Sequence, residues 1–264
     1  MTSKRIDQLF KNKQEEILNV YCTAGYPEKD SLMEVLRALH EFGADMIEIG
    51  MPYSDPLADG PVIQASSSRA LANGMTLNKL FEQIRDLRRP FSEGGIGETP
   101  VILMGYMNPV LQYGFEKFCR DAAGSGVDGL IIPDLPMHEF ETIYGSVVRK
   151  NGLNFIFLVT PETSDERIRK LDQLSSGFLY AVSSSSTTGK NKDMTEQVNY
   201  FKNLREMKLQ NPILVGFGIR NRKSFLEACE YAKGGIIGTA YIQAIGEAKD
   251  IRETTKEFLN RIKG

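Results

Sequence analysis

The chain has 264 residues, 41% hydrophobic and 25% charged, and a formal charge of −2 from 32 basic and 34 acidic side chains. That balance suits an ordinary globular protein with a sizeable core, and it offers neither a basic stripe for nucleic acid nor a polybasic block for a membrane surface. Three scattered cysteines (Cys22, Cys119, Cys229) and two histidines (His40, His138) give no zinc-ligand spacing, no apolar run suits a membrane helix, and residues 1–18 lack the apolar core of a signal peptide, so a cytoplasmic protein without a metal is expected.

In chain order, a helix is expected at residues 3–12, then a strand at 18–23. Leu32, Val35, Leu36, Leu39 and Phe42 recur at helical spacing before a second strand at 46–50 and a short helix at 62–71. The stretch 89–99 precedes a strand and reads as a flexible loop on the face away from the chemistry. Further strands are expected at 101–106, 129–132, 155–159, 178–182, 213–217 and 235–238, each followed by a helical pattern, the last running to Ile262. Apolar strands alternating with helices indicate a parallel sheet covered on both faces. Eight such units without a linker predict one domain over residues 1–264: a single (β/α)8 TIM barrel, with an extra N-terminal helix and a short helix after the second strand.

In such a barrel the loops after the strands build the active site. Side chains alternate along a strand, so Ile47 and Ile49 face the helices while Met46 and Glu48 face the interior. A carboxylate there is costly unless paired or functional, and no predicted strand supplies an interior Lys or Arg. The next segment, MPYSDPLADGP at 51–61, is a tight loop that returns Asp59 toward the barrel mouth. Asp59 also reads as a helix cap, with Pro61 in the first turn, and Asp55 shares that ambiguity.

Glycines follow the seventh and eighth strands, in GFGI at 216–219 and GIIGTA at 235–240. They allow close backbone approach, and a helix starting at Thr239 would aim free N–H groups at an anion, the frequent phosphate position of this barrel class. The loop SSSSTTGKNK at 183–192 has the composition of a mobile lid or of an ordinary surface loop. His40 and His138 read as non-catalytic, and Cys22 as packing.

The run IEIGMPYSDPLADGPVIQ at 47–64 closely resembles the signature of tryptophan synthase α subunits. The likeness extends through YCTAGYP at 21–27, YMNP at 106–109, DGLIIPDLP at 128–136, Tyr180, the lid and both glycine segments. It implies cleavage of indole-3-glycerol phosphate to indole and glyceraldehyde 3-phosphate, a carbon–carbon lyase step in L-tryptophan biosynthesis. By this resemblance Glu48 and Asp59 are the catalytic carboxylates, Tyr180 belongs to the catalytic site, and Thr188 is the lid threonine. Tyr21, Met104, Tyr106, Ile131 and Leu158 line the indole pocket, while Gly189, Phe217, Gly218, Gly238 and Thr239 form the phosphate shell.

The chain departs from the family pattern where many members carry a lid arginine and Ser184 stands here, and where Tyr21 replaces a frequent phenylalanine. The resemblance further implies an α2β2 complex with a β subunit carrying pyridoxal phosphate, no cofactor in this chain, and Asp55 as a candidate partner contact. On the residues alone, Glu48 held in an apolar mouth should have a raised pKa and act as an acid, while Asp59 should stay ionised through its polar loop. A stand-alone indole-releasing lyase and a non-catalytic regulatory subunit are the alternatives; the second sits poorly with two retained carboxylates.

Overall fold

The computed structural model describes residues 4–182, 194–216 and 218–264. Helix α1 (Lys4–Asn12) precedes β1 (Ile17–Thr23), α2 (Leu32–Glu41), β2 (Met46–Gly50), α3 (Pro61–Ala72) and α4 (Leu77–Gln83). Then come β3 (Val101–Met104), α5 (Met107–Tyr113), α6 (Phe115–Gly124), β4 (Gly129–Ile131), α7 (Met137–Glu139) and α8 (Gly145–Lys150). The chain continues through β5 (Asn154–Phe155), β6 (Leu158–Val159), α9 (Asp165–Leu174), β7 (Leu179–Val182), α10 (Met194–Glu206) and β8 (Ile213–Gly216). It ends with α11 (Arg222–Cys229), β9 (Gly234–Ile237), α12 (Thr239–Gly246) and α13 (Ile251–Lys263).

Local chemistry marks the helix starts. Pro61 occupies the first turn of α3, where its missing N–H is no loss. Thr76, Ser164, Asn221 and Asp250 each accept a backbone N–H at the head of α4, α9, α11 and α13. Leu32, Val35, Leu36 and Leu39 form the buried stripe of α2, as their spacing predicts.

All strand pairs are parallel, in the order β5-β4-β3-β2-β1-β9-β8-β7-β6. The two end strands of that order are consecutive in the chain and separated only by Ile156 and Phe157. Ile156 N donates to Leu130 O in β4, and Phe157 O accepts from Tyr180 N in β7, so the sheet curls back on itself through this pair. The expected fifth strand is therefore present but split, its first half pairing with one neighbour and its second half with the other. The architecture is that of an α/β TIM barrel.

The face opposite the strand ends is closed by ion pairs and packing. Asp128, whose side chain is fully buried, accepts from Arg5 of α1 at 3.1 Å, from Arg88 at 2.5 Å and from Val101 N at 2.8 Å. Arg88 also donates to the carbonyls of Gly97 and Thr99. The segment 89–99 is consequently pinned rather than loose: it holds a short 3-10 turn, Phe91–Glu93, and buries Ile96. His40 is half-buried there, its Nδ1 2.7 Å from Thr99 Oγ1, and His138 is exposed.

Candidate active site

Parallel register aligns Asn19 with Met46 and Tyr21 with Glu48, so these side chains share the interior face of adjoining strands. Glu48 is buried and its Oε2 accepts from Asn19 Nδ2 at 3.1 Å. Its Oε1 and the Asn19 Oδ1 have no hydrogen-bond partner among the described residues. Burial pushes the Glu48 carboxyl up to about 8; the Asn19 bond opposes that rise and the nearby Asp59 charge adds to it. At neutral pH this carboxyl is mostly protonated.

Two interior glycines make room for tyrosines. A Cβ on Gly50 would stand 1.9 Å from the Tyr21 hydroxyl, and one on Gly216 would stand 2.2 Å from the Tyr180 hydroxyl. The hydroxyl that Tyr21 adds sits in the notch above Gly50. Burial first, and then the neighbouring acids, raise both phenols well above their ordinary range, so both stay neutral.

The loop from β2 to α3 sorts its two aspartates. Asp55 is exposed and accepts from Ser54 Oγ, beside Leu57, which is 91% exposed. Asp59 turns inward. Its cap reading is not met, since Gly60 is the N-cap of α3 and no side chain fills that role. Nor does a polar loop hold Asp59 low: burial raises it to about 6, and the hydrogen bond from the Tyr106 hydroxyl only moderates the rise. It still ionises below neutral pH. The Tyr106 oxygen also accepts from Ala58 N at 3.0 Å, which ties this loop to the end of β3.

Glu48, Asp59, Tyr21, Met104 and Tyr180 line one cavity of about 780 Å³. Gly218, Gly238, Thr239 and Ala240 line the same cavity, Gly238 against Tyr21. Gly218 has φ +81°, a conformation that L side chains rarely adopt. Gly238 is the N-cap of α12, so the first N–H groups of that helix lack intrahelical partners, the setting that favours an anion. Two carboxyls of unlike proton affinity and an anion cradle thus border one space of small-molecule size.

A model of the tryptophan synthase alpha chain family matches residues 8–263. The tryptophan synthase alpha chain of Bacteroides thetaiotaomicron is 45% identical over 260 residues, covering 98% of this chain and 99% of that protein. The one from Flavobacterium psychrophilum is 48% identical over 92% of this chain and 94% of that protein. The chain belongs to the tryptophan synthase alpha chain family. It is a lyase that cleaves indole-3-glycerol phosphate in tryptophan biosynthesis. Among solved structures, the alpha chain from Legionella pneumophila superposes with a TM-score of 0.86 at 35% identity, covering 98% of this chain and 95% of that one. A chain of tryptophan synthase from M. tuberculosis in its aminoacrylate-bound form gives 0.83 at 31% identity, with 98% and 100% covered.

Against the positions expected from the tryptophan synthase resemblance, Tyr106 joins the site through Asp59 rather than by lining the cavity. Ile131 and Leu158 are not among the residues lining it, although they stand beside Met104 and Tyr180 in the strand register. Thr188, Gly189, Ser184 and Phe217 lie outside the described residues. The sequence reading missed Asn19, Arg220 and Gln243. Asn19 was detectable as a polar residue on the interior face of an otherwise apolar strand. Arg220 and Gln243 follow the glycine segments and border the cavity, but exposed polar residues after a turn carry no signal of their own.

Proposed function

We propose that Glu48 is the general acid and base of indole-3-glycerol phosphate cleavage and that Asp59 is its electrostatic partner. The carrying observation is the pair itself: two carboxyls facing one cavity, one mostly neutral and the other mostly ionised near pH 7. Indole is a poor carbanion, so C3 must be protonated before its bond to the glycerol phosphate chain breaks. Protonated Glu48 supplies that proton, and the ring nitrogen takes up positive charge. Ionised Asp59 accepts the ring N–H and stabilises the charge. The carboxylate left on Glu48 then takes the proton of the side-chain hydroxyl as its carbon becomes the aldehyde. The C3–C bond electrons return to the ring, and Glu48 ends the cycle protonated.

Tyr21, Met104 and Tyr180 bound the indole end, with Tyr106 holding Asp59. The backbone at Gly218, Gly238 and Thr239 receives the phosphate, and Gly189, Phe217 and the lid Thr188 complete the shell by family resemblance. No cofactor is assigned to this chain. A β subunit carrying pyridoxal phosphate is its partner, in an α2β2 complex in the cytoplasm. Support for a partner surface comes from the β2–α3 loop, which presents exposed Leu57 beside exposed Asp55, an apolar contact next to a charge.

The test is indole release from indole-3-glycerol phosphate by the purified chain, with and without a β subunit. Slow release that rises strongly with the β subunit is expected. Fast release without it identifies a stand-alone lyase, and none in either case removes the assignment.

A further inference from the structure

Asn19 is a fully buried amide, two residues below Tyr21 on the interior face of β1 and among apolar neighbours. Its Nδ2 donates to Glu48, while its Oδ1 has no partner among the described residues. An unmade acceptor in a dry interior is a cost that a leucine of similar volume would avoid, so packing does not account for an asparagine here. The bond does not complete a structural network either, because it ends on a carboxyl whose second oxygen is also unpartnered.

We propose that Asn19 is a positioning residue for the acid–base cycle of Glu48, supporting the carboxyl in both of its protonation states. An amide carries a donor and an acceptor on one flat group. The ionised carboxylate can take the Nδ2 hydrogen through the 3.1 Å contact at Oε2; the protonated carboxyl offers an O–H, for which Oδ1 is the unused acceptor. The other groups facing Glu48 do not serve this purpose. Asp59 repels the ionised form, and the neutral phenols of Tyr21 in β1 and Tyr180 in β7 do not lower the Glu48 proton affinity as the Asn19 bond does; Cys22 of β1 lies on the opposite face of its strand, aligned with Ile49. Ile102 of β3, its register neighbour, is apolar. Within this set, Asn19 is the group that favours the carboxylate.

This rests on Glu48 being the acid, and Glu48→Gln is the control for that reading. The experiment compares kcat, KM and the pH profile of indole release for wild type, Asn19→Leu and Asn19→Thr, whose hydroxyl both donates and accepts. In Asn19→Leu we expect kcat to fall by about tenfold or more with KM within about threefold, and the alkaline limb to move up by about one pH unit, as loss of a hydrogen bond to a charged group implies. Asn19→Thr should recover part of both effects. An unmoved alkaline limb in Asn19→Leu overturns the proposal, as does Asn19→Thr behaving no better than Asn19→Leu. Should Asn19→Leu not fold, Asn19→Ala takes its place, and an unmoved alkaline limb in that variant overturns the proposal equally. If Glu48→Gln turns over normally, the acid assignment itself falls; if Glu48→Gln is inactive while the Asn19 variants match wild type, only the role of Asn19 falls.

Discussion

Glu48→Gln should make this chain more stable at neutral pH, and by an amount that depends on pH. An unfolded glutamate ionises near its ordinary 4.5 and gains about 1.4 kcal/mol for each pH unit above it, whereas Glu48 in the folded chain does not ionise until about 8. The proton affinity is raised on folding, so the stabilising effect is complete below pH 4.5 and is lost as pH rises toward 8. At pH 7 the folded chain forgoes about 3 kcal/mol that a neutral amide of the same shape would not. For a chain of this length that corresponds to about 5–10 °C in Tm. Reversible unfolding of both proteins at pH 4, 5.5, 7 and 8.5 measures it. The difference should be small at pH 4, grow through the middle values and level off above pH 8. A gap that is the same at pH 4 and pH 7 would refute the burial of Glu48 as the source of its proton affinity.

Other outcomes follow from the same geometry. The rate of indole formation should fall below pH 6, as Asp59 protonates, and above pH 8, as Glu48 ionises; Asp59→Asn should lower the rate and remove the acid limb, and because burial raises Asp59 as it raises Glu48, Tm at pH 7 should rise rather than fall. Gly50→Ala places a methyl into the Tyr21 hydroxyl and should cost about 1–3 kcal/mol in urea unfolding along with a lower kcat. Asp128→Asn leaves the half of the barrel away from the cavity with poorly matched Arg88 and should cost about 3–5 kcal/mol, with the rate per folded molecule unchanged. Arg220→Ala removes a cation bordering the glycine cradle; KM should rise several-fold with kcat held, and inhibition by inorganic phosphate should weaken.

Much of this was legible because periodicity and loop position carry it. Residues 46–50 form the strand expected of them, and alternation alone directs Glu48 inward. The helix after β2 runs over Pro61–Ala72, slightly longer than the expected 62–71, because proline is admitted to its first turn. The split at Ile156 and Phe157 was not legible. Both residues suit a strand, and what interrupts it is a change of partner from β4 to β7, a closure property of the ring. Asp59 was legible as an inward carboxylate, but its proton affinity depends on how deeply the loop tucks, which no local pattern encodes. Ile131 and Leu158 have the right strand position and the right polarity; whether a side chain borders open space or a neighbour depends on the side chains beside it. The segment 89–99 looked loose by composition, yet Arg88, outside that window, holds it.

The central claim is that Glu48 carries the proton to and from the substrate. Indole formation by Glu48→Gln at pH 7, in a preparation shown to bind a non-cleavable indole-glycerol phosphate analogue as wild type does, tests it most directly. A loss of at least about a hundredfold is expected, since the amide cannot supply the proton. Turnover near the wild-type rate would contradict the account.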